Sequence, residues 1–240
     1  MGYLVVLVVG LAAGVLSGVI GTGSSMLLMP VLVVLYGPQQ AVPVMAIAAI
    51  MGNLGKMLSW WREIDWRACA AYCATAVPAA MLGVRTLLAL PPHVVDIALG
   101  VFFIAMVPAR RWLARRAVRL TLVHLMLIGG PVGFLTGIVV STGPITVPVF
   151  MGYGLVKGAF LGTEAAGSLA VYGAKVAVFG HFGALPVRVV VDGLITGTSI
   201  MLGTLMTRRI VARMSPGTFR LVVDGLMLSS GLSLLIAAGR

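Results

Sequence analysis

Apolar runs bounded by glycine, proline and charge follow one another along this chain at 3 to 20, 25 to 36, 41 to 60, 68 to 84 and 94 to 108. A basic loop comes next. From residue 120 the pattern restarts, with runs at 120 to 140, a short one at 144 to 152, then 158 to 180, 188 to 206 and 219 to 238. Several runs reach the ~20 residues that a helix needs to cross the hydrocarbon of a bilayer, so they are predicted spans. The expected fold class is all-α, a polytopic transmembrane helical bundle.

The restart is also visible residue by residue. Gly14-Val-Leu-Ser-Gly18 matches Gly133-Phe-Leu-Thr-Gly137, Lys56 and Lys175 fall at nearly the same offset, and Met81-Leu-Gly83 matches Met201-Leu-Gly203. Five apolar elements per half make an odd number of crossings, and an odd repeat must invert. The predicted organisation is a first transmembrane repeat over 1–112, a basic cytoplasmic linker over 113–121 and a second, inverted repeat over 122–240. Equivalent loops of inverted halves should differ in Lys/Arg content. They do: the loop from Arg85 to His93 carries one arginine, whereas its counterpart holds Arg208, Arg209, Arg213 and Arg220. The bias predicts both termini extracytoplasmic, with Arg62, Arg67, Arg110, Arg111, Arg115, Arg116, Arg119 and Lys157 also on the cytoplasmic side. Arg85, Arg188 and Arg240 remain outside.

Composition sharpens this picture. Hydrophobic residues make up 60% of the chain and charged residues 10%, far from the roughly 25% charged of a soluble domain. The formal charge of +11 could suggest nucleic acid, but the basic residues form short clusters between apolar runs, with no basic face interleaved with aromatics. Nucleic acid is therefore not an expected partner. Met1-Gly2-Tyr3 lacks the positive start of a cleaved signal peptide, so the first run reads as a retained span. Cys69 and Cys73 lie four apart on one predicted helix, where a disulfide is awkward and a metal would need further ligands. They read as helix packing, the scattered methionines as filler, and no metal site is assigned. No hydrolytic triad, zinc site or nucleotide loop is present, which argues against an enzyme and against a cofactor.

The first element of each half is interrupted, by Gly21-Thr22-Gly23-Ser24-Ser25 and by Ser141-Thr142-Gly143-Pro144. Irregular backbone at membrane depth is tolerated only where it is buried in protein or lines an aqueous cavity. Paired breaks therefore point to a binding site. The short helix after each break offers free N–H groups and the positive end of its dipole, which favours an anion. Lys56 and Lys175 are ionisable residues inside spans and so candidates to hold it. Asn53 and Tyr172 each lie three residues before one of these lysines, on the same helical face. The candidate substrate-binding residues are Thr22, Gly23, Ser24, Ser25, Asn53, Lys56, Ser141, Thr142, Gly143, Tyr172 and Lys175. Glu164 could pair with a lysine or carry a coupled proton. Asp96, Asp192 and Asp224 read as paired or capping residues, and His93, His124 and His181 receive no ligand role.

Together these segments resemble the sulfite exporter TauE/SafE family over nearly the whole chain. The motifs that carry the resemblance are Gly18-Val-Ile-Gly-Thr-Gly-Ser-Ser25, Gly52-Asn-Leu-Gly-Lys56, Glu63-Ile-Asp-Trp-Arg67 and Pro78-Ala-Ala-Met-Leu-Gly83. The second half offers Gly133 to Pro148, Gly162-Thr-Glu-Ala-Ala166 and Gly183-Ala-Leu-Pro-Val187. The resemblance implies a permease, usually an exporter, for sulfite, sulfoacetate or other organosulfonates. The expected location is the inner or plasma membrane, with the bilayer and a small anionic substrate as partners. A homodimer stays open, as does the choice between crossing and re-entry for 25–36 and 144–152. The alternative is a channel-like or transition-metal permease, for which Cys69, Cys73 and the methionines would be the evidence.

Overall fold

The computed structural model describes residues 2–20, 24–91, 119–139 and 142–210, with Val94, Ile97, Val101, Ile104 and Ala105 besides. The first break at 21–23, most of the run 94–108, the basic stretch from 110 to 116, Ser141, and all of 211–240 with its run 219–238 lie outside the described residues.

Eight α-helices are described along their length, and no strand occurs among the described residues. They are α1 (Gly2–Ile20), α2 (Ser24–Tyr36), α3 (Pro38–Trp60), α4 (Trp66–Ala89), α5 (Leu122–Ile138), α6 (Gly143–Tyr153), α7 (Lys157–His181) and α8 (Val187–Ile210). Each corresponds to one apolar run. Gln40–Glu63, Trp66–Ala89 and Val187–Met206 are long and apolar enough to cross a membrane. Helix α7 has 25 residues, enough to cross by length, and is distinguished by the charges of Lys157, Glu164 and Lys175. At 13 and 11 residues, α2 and α6 extend only about 20 Å and 17 Å, short of the ~30 Å of hydrocarbon.

Local chemistry sets the boundaries. The Asp65 carboxylate accepts from the N–H groups of Arg67 and Ala68, both at 3.0 Å, and caps the start of α4. At the start of α5, the His124 ring accepts from the Thr121 N–H at 3.3 Å, which gives that histidine a capping role. Helix α6 ends at Gly154 in the left-handed region, φ 109°. Helix α4 continues to Ala89, past the expected end at 84. Arg85 does not stop it, because its guanidinium reaches an exposed position 5.7 Å from the Phe182 ring centre.

Two apolar cores result. One gathers Val6, Leu28, Leu32, Met45 and Ile200 from α1, α2, α3 and α8, joined by the far ends of α4 and α7 through Val84 and Phe179. The other gathers Tyr72, Ala76, Leu125, Val132, Phe150 and Val171 from α4, α5, α6 and α7. Helices α3 and α7 cross each other between them. Helix α8 packs on α1 and α3, while α4 packs on α5 and α7. Replacing α1, α2, α3 and α4 by α5, α6, α7 and α8, and the reverse, turns each of these pairings into another that is present.

Glycines allow the two outer crossings to close. A Cβ on Gly203 would lie 3.0 Å from the Gly14 Cα, and one on Gly137 only 2.6 Å from the Gly83 Cα. Backbones meet there without side chains between them, the close approach that small residues give membrane helices. On α5, a Cβ at Gly133 would sit 2.6 Å from the Ala76 Cα, whereas one at Gly173 meets nothing within 4 Å. Gly133→Leu should therefore lower the thermal unfolding midpoint in detergent, losing at least about 1–3 kcal/mol to overpacking. Gly173→Ala should leave the midpoint unchanged or raise it, because alanine gains roughly 0.5–1 kcal/mol over glycine inside a helix.

Candidate functional site

Helix α7 is the polar spine of the molecule. Glu164, Ser168, Tyr172 and Lys175 fall at i, i+4, i+8 and i+11, which places them on one helical face. Around them α7 is rich in small residues, and these let its neighbours come close. A Cβ at Gly162 would lie 3.0 Å from the carbonyl oxygen of Trp60. The fully buried Thr163 hydroxyl accepts from the Asp65 N–H at 2.9 Å, which fixes the turn between α3 and α4 against α7.

At one end of this face the Lys56 ammonium, contributed by α3, lies 3.4 Å from the Glu164 carboxylate. Both side chains are 5% exposed. The other carboxylate oxygen accepts from the Ser168 hydroxyl at 2.9 Å. A charge in hydrocarbon survives only with a partner, and here α3 and α7 each supply the other's.

At the opposite end, roughly 16 Å along the axis from Glu164 at 1.5 Å per residue, lies Lys175, with no exposed surface. Its ammonium donates to the carbonyls of Thr136 and, at 3.1 Å, Val139. These belong to the last turn of α5, where the chain breaks and the carbonyls have lost their intrahelical donors. Lys175 thus caps the broken helix and offsets the negative end of its dipole. The Tyr172 ring lies 5.5 Å from the same ammonium, within cation–π range. Across the break the Thr136 and Thr142 hydroxyls are hydrogen-bonded to each other. The Thr142 carbonyl accepts from the N–H groups of Ile145 and Thr146 to begin α6. The interval between the end of α5 at Ile138 and the start of α6 at Gly143 is therefore flanked by buried, satisfied groups, with Thr136, Val139, Thr142 and Gly143 all buried.

Between the two charged ends lies a small recess, with room for about one water molecule, lined by Tyr72, Thr136, Thr142, Gly143, Thr146, Glu164, Ser168, Val171 and Tyr172. Its polar lining consists of hydroxyls and one carboxylate. Hydroxyls can donate to an oxyanion, and the start of α6 presents the positive end of its dipole.

The sequence-predicted residues distribute as follows. Thr142, Gly143, Tyr172 and Glu164 line the recess. Lys56 and Lys175 flank it at separate ends of one face and do not meet at a single point. Asn53 is buried one turn before Lys56, Ser25 is buried and Ser24 half-buried at the start of α2. Thr22, Gly23 and Ser141 lie outside the described residues. Tyr72, Thr136, Thr146 and Ser168 were missed. Ser168 could have been found from the four-residue spacing between Glu164 and Tyr172. Thr136 lies inside the duplicated glycine motif, whereas Tyr72 reads as an ordinary apolar-core aromatic and packs 5.2 Å from Phe150. Asp192 is buried with an Arg188 nitrogen 4.0 Å away, the pairing expected of it.

A bundle of long apolar helices with charges paired in its interior defines a multi-pass membrane protein. The chain belongs to the sulfite exporter TauE/SafE family, whose description it matches over residues 6–234. No curated protein and no solved structure matches it. Membership makes it a permease of the sulfur-anion exporter type and is consistent with a protein that is not an enzyme.

Removing one partner of a buried ion pair leaves the other uncompensated, at a cost of about 3–5 kcal/mol, whereas replacing both with apolar residues is near neutral. Lys56→Met alone should accordingly lower the unfolding midpoint and the monodisperse fraction in detergent. Adding Glu164→Leu should restore both.

Proposed function

We propose that the protein exports sulfite or small organosulfonates across the inner membrane by alternating access, with the anion held between two halves of opposite orientation. The observation that carries this reading is the charge of the described site: two buried ammonium groups, Lys56 and Lys175, against one carboxylate, Glu164. A monovalent oxyanion completes that balance while Glu164 is ionised, and a divalent one does so once Glu164 has taken up a proton. The duplicated motifs, the helix pairings that survive exchange of the halves and the Lys/Arg bias support inverted repeats over 1–112 and 122–240. They also support termini on the extracytoplasmic side.

In this mechanism Glu164 is the internal counter-ion of Lys56. An oxyanion entering between Ser168, Thr142 and Thr146 competes for the same ammonium. The displaced carboxylate, still held by Ser168, takes up a proton, so anion movement is coupled to proton movement. Lys56 comes from α3 and Glu164 from α7, so the exchange of partners loosens the crossing between the two cores. Thr22, Gly23, Ser24, Ser25 and Asn53 supply the first half's share of the site, and Ser141, Thr142, Gly143 and Tyr172 the second's. The usual inside-negative potential favours outward movement by about 2.3 kcal/mol per charge per 100 mV.

Purified protein in liposomes should move radiolabelled sulfite or a labelled organosulfonate. The Lys56→Met/Glu164→Leu protein, folded by the criterion above, should fall to background, and Lys175→Ala should lose most of its flux. Glu164→Gln should keep flux but lose its response to an imposed proton gradient. Undiminished flux in the double variant would remove Lys56 from the mechanism, and no flux of any sulfur oxyanion in the wild type would defeat the reading.

A further inference from the structure

The two cysteines take no part in the recess. Cys69 is buried and Cys73 half-buried, and neither forms a disulfide. Their sulfurs stand 4.0 Å apart on successive turns of α4, and the Cys73 sulfur faces the Gly167 carbonyl of α7 at 3.8 Å. Met57, from the last turns of α3, packs into the same small cluster with Ile64 and Ala166. Three of that cluster's five side chains therefore carry sulfur. On sequence alone the cysteine pair lacked a further candidate ligand; the turn between α3 and α4 brings a third sulfur-bearing side chain into the same cluster.

Sulfur spacing decides what such a group suits. A disulfide needs sulfurs about 2.05 Å apart, about half the observed separation. A metal–sulfur bond of about 2.3 Å puts two ligating sulfurs ~3.8 Å apart at a tetrahedral angle and ~4.0 Å apart at a trigonal one. The observed separation lies within the range for two sulfurs that share one metal ion. Two thiolates and a thioether are soft donors, which select monovalent copper over harder ions. Among the described residues no group of three or more His, Cys, Asp or Glu comes together, so nothing there competes as a hard-metal site. Small-residue packing explains one buried cysteine; it does not explain why three sulfurs share one cluster. Cys69 and Cys73 lie roughly 5 Å and 10 Å along α4 from its capped start, close to the turn and so to an aqueous face.

We infer that Met57, Cys69 and Cys73 form a three-sulfur site for a soft monovalent metal ion, Cu⁺ or Ag⁺. Binding replaces the thiol protons of Cys69 and Cys73 with two metal–sulfur bonds, the protons leaving to solvent, and the Met57 sulfur completes the trigonal set. The ligands come from α3 and α4, which belong to different cores, so an occupied site ties the two cores together next to the Lys56–Glu164 pair.

The test uses the full chain purified in detergent under reducing conditions, titrated with Cu⁺ in competition with bathocuproine disulfonate. The expected result is one tightly held Cu⁺ per chain, with an X-ray absorption spectrum showing three sulfur neighbours. Cys69→Ser/Cys73→Ser should abolish this binding. Met57→Leu, which keeps the volume and apolar character of the side chain, should weaken it at least about tenfold, since even outer-shell partners of a metal ligand contribute that much. Equal Cu⁺ binding in the double serine variant would place the metal elsewhere and overturn the proposal. Undiminished affinity in Met57→Leu, or a two-sulfur spectrum, would equally overturn the three-sulfur site. None of these readouts depends on which anion the protein carries.

Discussion

A backbone carbonyl or N–H without a partner cannot remain in hydrocarbon, and that constraint organises this molecule. Helix α5 stops at Ile138, and α6 begins at Gly143, so the chain must satisfy freed carbonyls at a depth where water is scarce. It does so with an ammonium. Lys175 reaches from α7 to the Thr136 and Val139 carbonyls, and the Thr136 and Thr142 hydroxyls close the gap from the other side. The break can then persist, and the short helix that follows keeps its N-terminus turned toward the recess. Without the break there would be no such helix end, and without Lys175 the break would be a defect.

The Lys56–Glu164 pair answers a different requirement. Helices α3 and α7 cross where the two apolar cores meet, and apolar side chains of both helices already pack there, with Trp60 close against Gly162. Placing Lys56 and Glu164 across it trades two desolvation costs for one Coulombic gain, which yields little net stability. A pair that stabilises weakly is easily exchanged for another partner.

Much of this architecture was legible in the sequence. Apolar runs cut by glycine, proline and charge marked all eight described helices to within a few residues, because in a bilayer the length of an apolar run is itself the structural signal. The largest miss, the end of α4, came from treating Arg85 as a terminator when a guanidinium at the rim can turn outward to an aromatic ring. The site was less legible. Lys56, Lys175 and Glu164 stood out because charge is rare in an apolar chain, but their partners could not be read from composition. Lys175 read as an anion ligand, and its hydrogen bonds to the Thr136 and Val139 carbonyls could not be foreseen, because they depend on how α5 and α7 are brought together. Tyr72 carried no signal, since an aromatic in an apolar helix has the same sequence appearance whether it faces a core or a cavity.

Packing runs between early and late helices: α4 lies against α5 and α7, and α8 against α1 and α3. Among the described residues, neither α1 to α4 nor α5 to α8 covers its own glycine faces, because α8 lies over Gly14 of α1 and α4 over Gly133 of α5. Chain order and mechanical units therefore do not coincide. During synthesis α1 emerges long before α8 exists to shield Gly14, so the first half must wait in the lipid, partly unpaired, until the last helices arrive.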